Sequence, residues 1–250
     1  MRSLEDLMGC TVSTGDGVSG RLDDVYYDDR TWTVRYLVVA DIEKGTAPRL
    51  VSPFLVDRVG GQPPQIDLSL DLDRLLEAPN IGQEKPVSLQ AERDYFDYFG
   101  WPYYWQGAYA GGMAALPIVA PLPGSVTPPP EMHDAEADRA SDSETAGAPT
   151  DQPSEASHHL RSALETNGYH VQALDGEIGH VEDFLVDEVS WGILSVVVDT
   201  SNWWVGKKVA LPAGEFTRVE WASRLVFVDE TREQVQQTRE FDRETLQRDV

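Results

Sequence analysis

The chain has 250 residues, 41% of them hydrophobic, and a formal charge of −23. Such acidity disfavours a binder of nucleic-acid backbones, which needs clustered Lys and Arg to displace counterions, and it disfavours adsorption to an anionic membrane. Cys10 is the sole cysteine, which excludes an intrachain disulfide and a Cys-based zinc site. The opening "MRSLEDLMGC" lacks the apolar core of a signal peptide, and no stretch reaches the roughly 20 apolar residues of a spanning helix. A cytoplasmic protein is expected.

Taken in order, the chain repeats itself. Shifted by 159, Ser3–Pro53 lies over Ser162–Pro212 without a gap, and twelve of 51 positions are identical. Composition alone would give about three. The shared residues include Gly9/Gly168, Asp16/Asp175, Gly20/Gly179, Asp24/Asp183, Asp28/Asp187, Trp32/Trp191 and Pro53/Pro212. In each copy Ser3-x-x-Asp6 or Ser162-x-x-Glu165 resembles a capping box that opens a short helical turn, ended by Gly9 or Gly168. A brief strand and an Asp-Gly hairpin turn follow, then strands over 20–28 and 179–187. The runs "TVRYLVVA" and "GILSVVVD" suit strands covered on both faces. Further strands are predicted near 49–52 and 65–70, and near 207–211 and 224–228. Helices are predicted over 72–78 and 230–246. Five or six short strands in about 80 residues suggest a small closed barrel that leaves no bare sheet edge.

Four segments result: repeat one over 1–90, an aromatic-rich connection over 91–106, a linker over 107–157, and repeat two over 158–250. The linker is acidic and rich in Pro and Ala, with too few large apolar residues to offset ordering entropy, and is expected to be flexible. The fold class is mainly β: two small barrels with short helices, joined by these two segments. The barrels are expected to pack as a pseudo-dimer, with part of 95–105 between or against them.

The acids in "GRLDDVYYDD" recur as Glu182, Asp183, Asp187 and Glu188 in the second copy. Their spacing is not that of an EF-hand loop. Asp28 and Asp187 stand where a strand becomes a turn, a place Asp favours by bonding the backbone ahead. Asp24 and Asp183 share a strand face with Leu22 and Val181 and are expected to be partly buried, bonded to backbone amides. Weak cation binding by Asp24, Asp28, Asp183 and Asp187 is the alternative. The five histidines lack a zinc-binding arrangement, and no nucleophile elbow, Walker loop or dinucleotide turn is present. No cofactor and no catalytic residue is therefore expected. The aromatic stretch "YFDYFGWPYYW" is expected to pack on the first barrel or its interface. Alternatively, Tyr98, Trp101, Tyr103, Tyr104 and Trp105 anchor a protein partner, and Trp203 with Trp204 in "SNWWVGKK" offers a second contact patch.

"DGVSGRLDDVYYDDRTWTVRYLVV" and "DGEIGHVEDFLVDEVSWGILSVVVD" resemble the opening of the PRC-barrel family, with its Asp-Gly turn, acid-ending strand, Trp and hydrophobic strand. "LVSPFLVDRV" and "VALPAGEFTRV" are similar to its later, proline-bearing strand. The resemblance implies small β-barrels without enzymatic activity of their own. Family relatives, in the reaction-centre H subunit and in ribosome-maturation factors, imply a docking or assembly role. The expectation is a non-catalytic scaffold that binds a protein partner or itself, as homodimer or intramolecular pseudo-dimer, without direct nucleic-acid contact or membrane insertion. A cation- or small-ligand-binding sensor and a ribosome-assembly accessory are the alternatives.

Overall fold

The computed structural model describes residues 1–42, 47–80, 87–103, 159–201 and 207–243. The protein is mainly β, with two sheets of seven strands each and short helices. Repeat one supplies β1 (Arg2–Ser3), α1 (Leu4–Leu7), β2 (Thr11–Ser13), β3 (Ser19–Asp28) and β4 (Thr33–Ala40). It continues with β5 (Arg49–Val51), β6 (Val56–Gly60), β7 (Gln65–Leu68), α2 (Leu72–Glu77) and α3 (Leu89–Phe99). Repeat two follows the same order: β8 (Leu160–Ser162), α4 (Ala163–Thr166), β9 (His170–Ala173), β10 (Gly176–Val186) and β11 (Ile193–Asp199). Then come β12 (Lys208–Pro212), β13 (Phe216–Glu220), β14 (Leu225–Val228) and α5 (Arg232–Gln237).

The two sheets have matching strand orders, β5-β4-β3-β2-β7-β6 and β12-β11-β10-β9-β14-β13. Both contain one parallel pair, β2 with β7 and β9 with β14. Gly20 and Gly179 are required where the hairpin strands approach: an added Cβ would lie 2.6 Å from the Ala40 carbonyl oxygen and 2.0 Å from that of Asp199.

The expectation of closed barrels is not met, because no ladder joins β5 to β6 or β12 to β13 among the described residues. At that corner the chain turns through a 3₁₀ turn, Pro53–Leu55 or Ala213–Glu215. Pro53 and Pro212 have no N–H to begin a ladder across it. Each open edge is covered differently. In repeat one the Ser52 amide donates to Tyr95 Oη of α3 at 3.2 Å. In repeat two the chain after α5 bridges Glu240 to Val209, and the Phe241 amide donates to the Lys208 carbonyl at 2.7 Å. Of the helix predicted over 230–246, α5 forms Arg232–Gln237, where Lys207 Nζ binds the carbonyls of Gln236 and Thr238; 238–242 are not helical, and 244–246 lie outside the described residues.

One hydrophobic core runs through both repeats, from Leu4, Val12 and Leu37 to Val171, Val196 and Val235. A second cluster lies on the outer face of β4 and β5, where α3 adds Tyr95 and Phe96 to Tyr36 and Leu50. Helix α3 begins at the Ser88 cap and ends at Gly100, whose φ of +67° permits the left-handed turn. It occupies much of the segment read from sequence only as an aromatic connection.

This packing has measurable consequences. Tyr95→Phe removes the acceptor for the Ser52 amide and is expected to lower stability by about 1 kcal/mol. Phe96→Ala empties the second cluster and is expected to lower it by about 3 kcal/mol. Urea unfolding monitored by tryptophan fluorescence measures both.

Candidate functional site: the seam between the repeats

A cluster of bonded polar side chains lies where the repeats meet, and it is built by reciprocal exchange. Strand β1 leaves repeat one and pairs with β10, Arg2 opposite Val186 and Ser3 opposite Leu185. Strand β8 leaves repeat two and pairs with β3, Arg161 opposite Tyr27 and Ser162 opposite Tyr26. These registers map onto one another by the 159-residue shift.

The repeated acids hold the exchanged segments. Asp183 accepts from the Ser3 hydroxyl and from the Glu5 amide at 3.0 Å. Asp24 accepts from the Ser162 hydroxyl at 2.5 Å and from the Leu164 amide at 3.0 Å. Each serine also caps its own helical turn, accepting from Asp6 or Glu165. One carboxylate thus satisfies a first-turn amide of the other repeat's helix. A second reciprocal pair sits one turn of pleat away. Arg2 binds Glu188, and Arg161 Nε lies 2.8 Å from Asp29 Oδ2, with His159 Nδ1 2.9 Å from Asp29 Oδ1.

Asp28 and Asp187 have another task. Oδ1 of Asp28 accepts from the amides of Arg30 and Thr31, and Oδ1 of Asp187 from those of Val189 and Ser190. They fasten the hairpin turns. The Ser190 amide, foremost among its hydrogen bonds, holds the Asp187 carboxyl below its ordinary value. Asp183, at 6% exposure, is pushed upward by burial, with the bonds from Ser3, Glu5 and Phe184 opposing. The four acids named as cation candidates therefore fall into two separate pairs of duties. Among the described residues, no three His, Cys, Asp or Glu side chains are grouped to hold a metal ion.

Those turns present Trp32 and Trp191, both in the left-handed region, at φ +49° and +57°. That conformation is unfavourable for a bulky residue, and contact with the opposite repeat holds it. The Val34 amide donates to the Trp191 carbonyl at 2.9 Å, and the Ile193 amide to the Trp32 carbonyl at 2.7 Å. Thr33 bridges Gly192 between them. Since Thr33 shifted by 159 is Gly192, this bridge marks the pseudo-two-fold axis.

Among the aromatic candidates, Trp101 stacks on Phe99 at 4.5 Å and packs edge-on to Phe54 at 5.2 Å. Tyr103 is half-buried, its hydroxyl 2.5 Å from Asp97 Oδ1. Tyr98 remains 38% exposed. Tyr104, Trp105, Trp203 and Trp204 lie outside the described residues. His170 contacts Glu177, and His180 lies 3.9 Å from Asp199.

A feature missed in the sequence is a pair of facing carboxyls. Beyond β5 and β12 the matching turns and strands are offset by 160, and there Glu215 and Glu230 stand where repeat one has the buried Leu55 and Leu70. Burial, with the neighbouring Glu215 carboxylate, raises Glu230 above its ordinary value. The one-residue offset between the repeats after β5 and β12 hid it, because a uniform shift of 159 sets these acids opposite Val56 and Asp71.

No protein-family model matches the chain, and no curated protein matches it.

Asp183→Ala and Asp24→Ala are each expected to cost roughly 2–4 kcal/mol, the scale for stranding partners of a hydrogen-bonded charge, with the more buried Asp183 costing more. Hydrogen exchange should report faster opening of 3–7 in the first variant and of 162–166 in the second. The Glu215→Leu/Glu230→Leu variant should be more stable at pH 7 by roughly 1 kcal/mol. A raised carboxyl contributes stability at low pH that is lost as pH rises through its folded value. The stability advantage of the variant over the wild type should therefore grow from pH 4 towards 7, as thermal melts of both across that range would record.

Proposed function

We propose that this protein is a non-catalytic scaffold of two PRC-type units that docks a protein partner. The observation that supports this most directly is the engagement of the repeated acids. Asp24, Asp29, Asp183 and Glu188 tie one repeat to the other, and Asp28 and Asp187 tie down turns. Side chains preserved through duplication thus serve assembly. Two sheets with one strand order also fit the family resemblance.

A docking role draws support from where the repeats differ. Repeat two exposes Val189 at 92% and Leu194 at 47% around one hairpin turn. Repeat one carries Arg30 and Arg35 at those positions. Two exposed apolar side chains at one projecting turn suit contact with an apolar protein surface. Tyr98 adds an exposed ring on α3, whereas the inward packing of Trp101 gives it a structural task.

The test is affinity capture from lysate of the source cells with the intact protein and with a Val189→Arg/Leu194→Arg variant, whose new residues approximate those of repeat one. A partner retained by the intact chain should fall at least tenfold with the variant at unchanged melting temperature. Identical captures from both would overturn this docking surface.

A further inference from the structure

The seam is symmetric in its strand registers and in its Asp–Ser and Arg–acid bonds, and asymmetric in its aromatic filling. Tyr27 of repeat one packs on Phe184 of repeat two at 5.4 Å, and its hydroxyl meets Thr166 Oγ1 at 3.1 Å, all buried. Trp32 packs against Phe216 at 5.6 Å. The positions equivalent to Thr166, Phe184 and Phe216 in repeat one are Leu7, Val25 and Val56. If two copies of repeat one met through this seam, the Tyr27 hydroxyl would face Leu7 without a partner. Its ring, and that of Trp32, would face valines and leave voids. Two copies of repeat two would place Val186 where the Tyr27 ring belongs. Unpartnered buried hydroxyls and cavities are the means by which a surface rejects a near relative.

We propose that the seam is an autonomous recognition surface that selects the unlike repeat. The intermolecular partner it fits is consequently the opposite repeat of a second copy of this chain. Repeat one of one molecule closes on repeat two of another, with both seams complete, while like repeats reject each other. Tyr27 is the residue that determines this selectivity. Within one chain the covalent connection supplies an effective concentration on the order of millimolar, so the intramolecular form dominates in dilute solution. This pairing is independent of any partner taken by the Val189 turn.

The experiment uses the full chain with a protease site placed within residues 107–157. One preparation is isotopically heavy and one light; both are cleaved, mixed, loosened in mild denaturant, returned to buffer and weighed by native mass spectrometry. Cleaved chains should remain paired, and after mixing, heavy repeat one should pair with light repeat two as often as with its own. Like pairs should stay below roughly a tenth of the total. Tyr27→Phe should raise pairs of repeat one about five- to tenfold, because the stranded hydroxyl that penalises them is gone. Fragments that separate on cleavage would overturn the autonomous seam. Like pairs at their random share would overturn the selectivity, and an unchanged ratio in Tyr27→Phe would overturn the role of Tyr27.

Discussion

The architecture depends on one mismatch of length. Strand β3 has ten residues, yet its neighbour β2 has only three and pairs with Ser19, Gly20 and Arg21 alone. The C-terminal half of β3 would otherwise present bare N–H and C=O groups along a half-buried edge, which proteins avoid. Strand β8 covers it at Tyr26, Tyr27 and Asp28. Strand β10 has the same deficit and receives β1. Neither repeat can complete its longest strand, so each completes the other's. The shared core follows, because the exchanged segments carry Leu4, Leu7 and Ala163 into it.

Exchange also explains the density of acid near the seam. A segment of two or three residues makes few ladder bonds, so its attachment needs further contacts. Asp24 and Asp183 add a hydroxyl and a first-turn amide on the opposite repeat, and Asp29 and Glu188 add an arginine. The side chains of Arg161 and Asp29 are 21% and 7% exposed. Pairs so shielded are screened less by salt than the Arg58–Asp67 pair, where the arginine is 73% exposed. At the seam, then, the arginines sit where water is partly excluded.

The duplication, the Asp-Gly turns, the helix caps and most strands were legible because each has a local signature. Ser3 and Ser162 cap as their spacing predicts, and Asp28 and Asp187 close turns on their own amides. What escaped was non-local. Arg2 and Leu160 belong to no recognisable strand pattern, since two or three residues carry no periodicity, and nothing nearby names their distant partners, Val186 and Asp28. Strands β6 and β13 were missed because they begin directly after a 3₁₀ turn at a proline and carry exposed charged residues in mid-strand. The acids at 24 and 183 were readable as amide-bonded side chains, but the repeat that supplies those amides was not. For the aromatic stretch, composition pointed to packing; its helix went unread because bulky rings crowd a sequence whose periodic buried face, Glu92, Tyr95 and Phe96, includes a charged residue.

That buried Glu92 shows how far the repeats have diverged under a common frame. Its carboxylate accepts from the Tyr36 hydroxyl at 2.8 Å, and repeat two has Ser195 in place of Tyr36. The tyrosine and α3 go together: without the helix the ring would have no cover, and without the ring Glu92 would lose a buried donor. Repeat two instead covers its β12 edge with residues 239–241, close to where Arg243 reaches Glu5 and Asp6 of repeat one. The seam's ladder registers and its Asp–Ser and Arg–acid bonds hold both copies to one plan, since each of these has its mirror image. Beyond the differences within the seam's buried filling, the outer faces also differ: a helix on one copy, exposed Val189 and Leu194 on the other. A chain of two unlike repeats gains two distinct outer surfaces about one pseudo-two-fold axis in this way, and an identical pair of subunits would present only one surface twice.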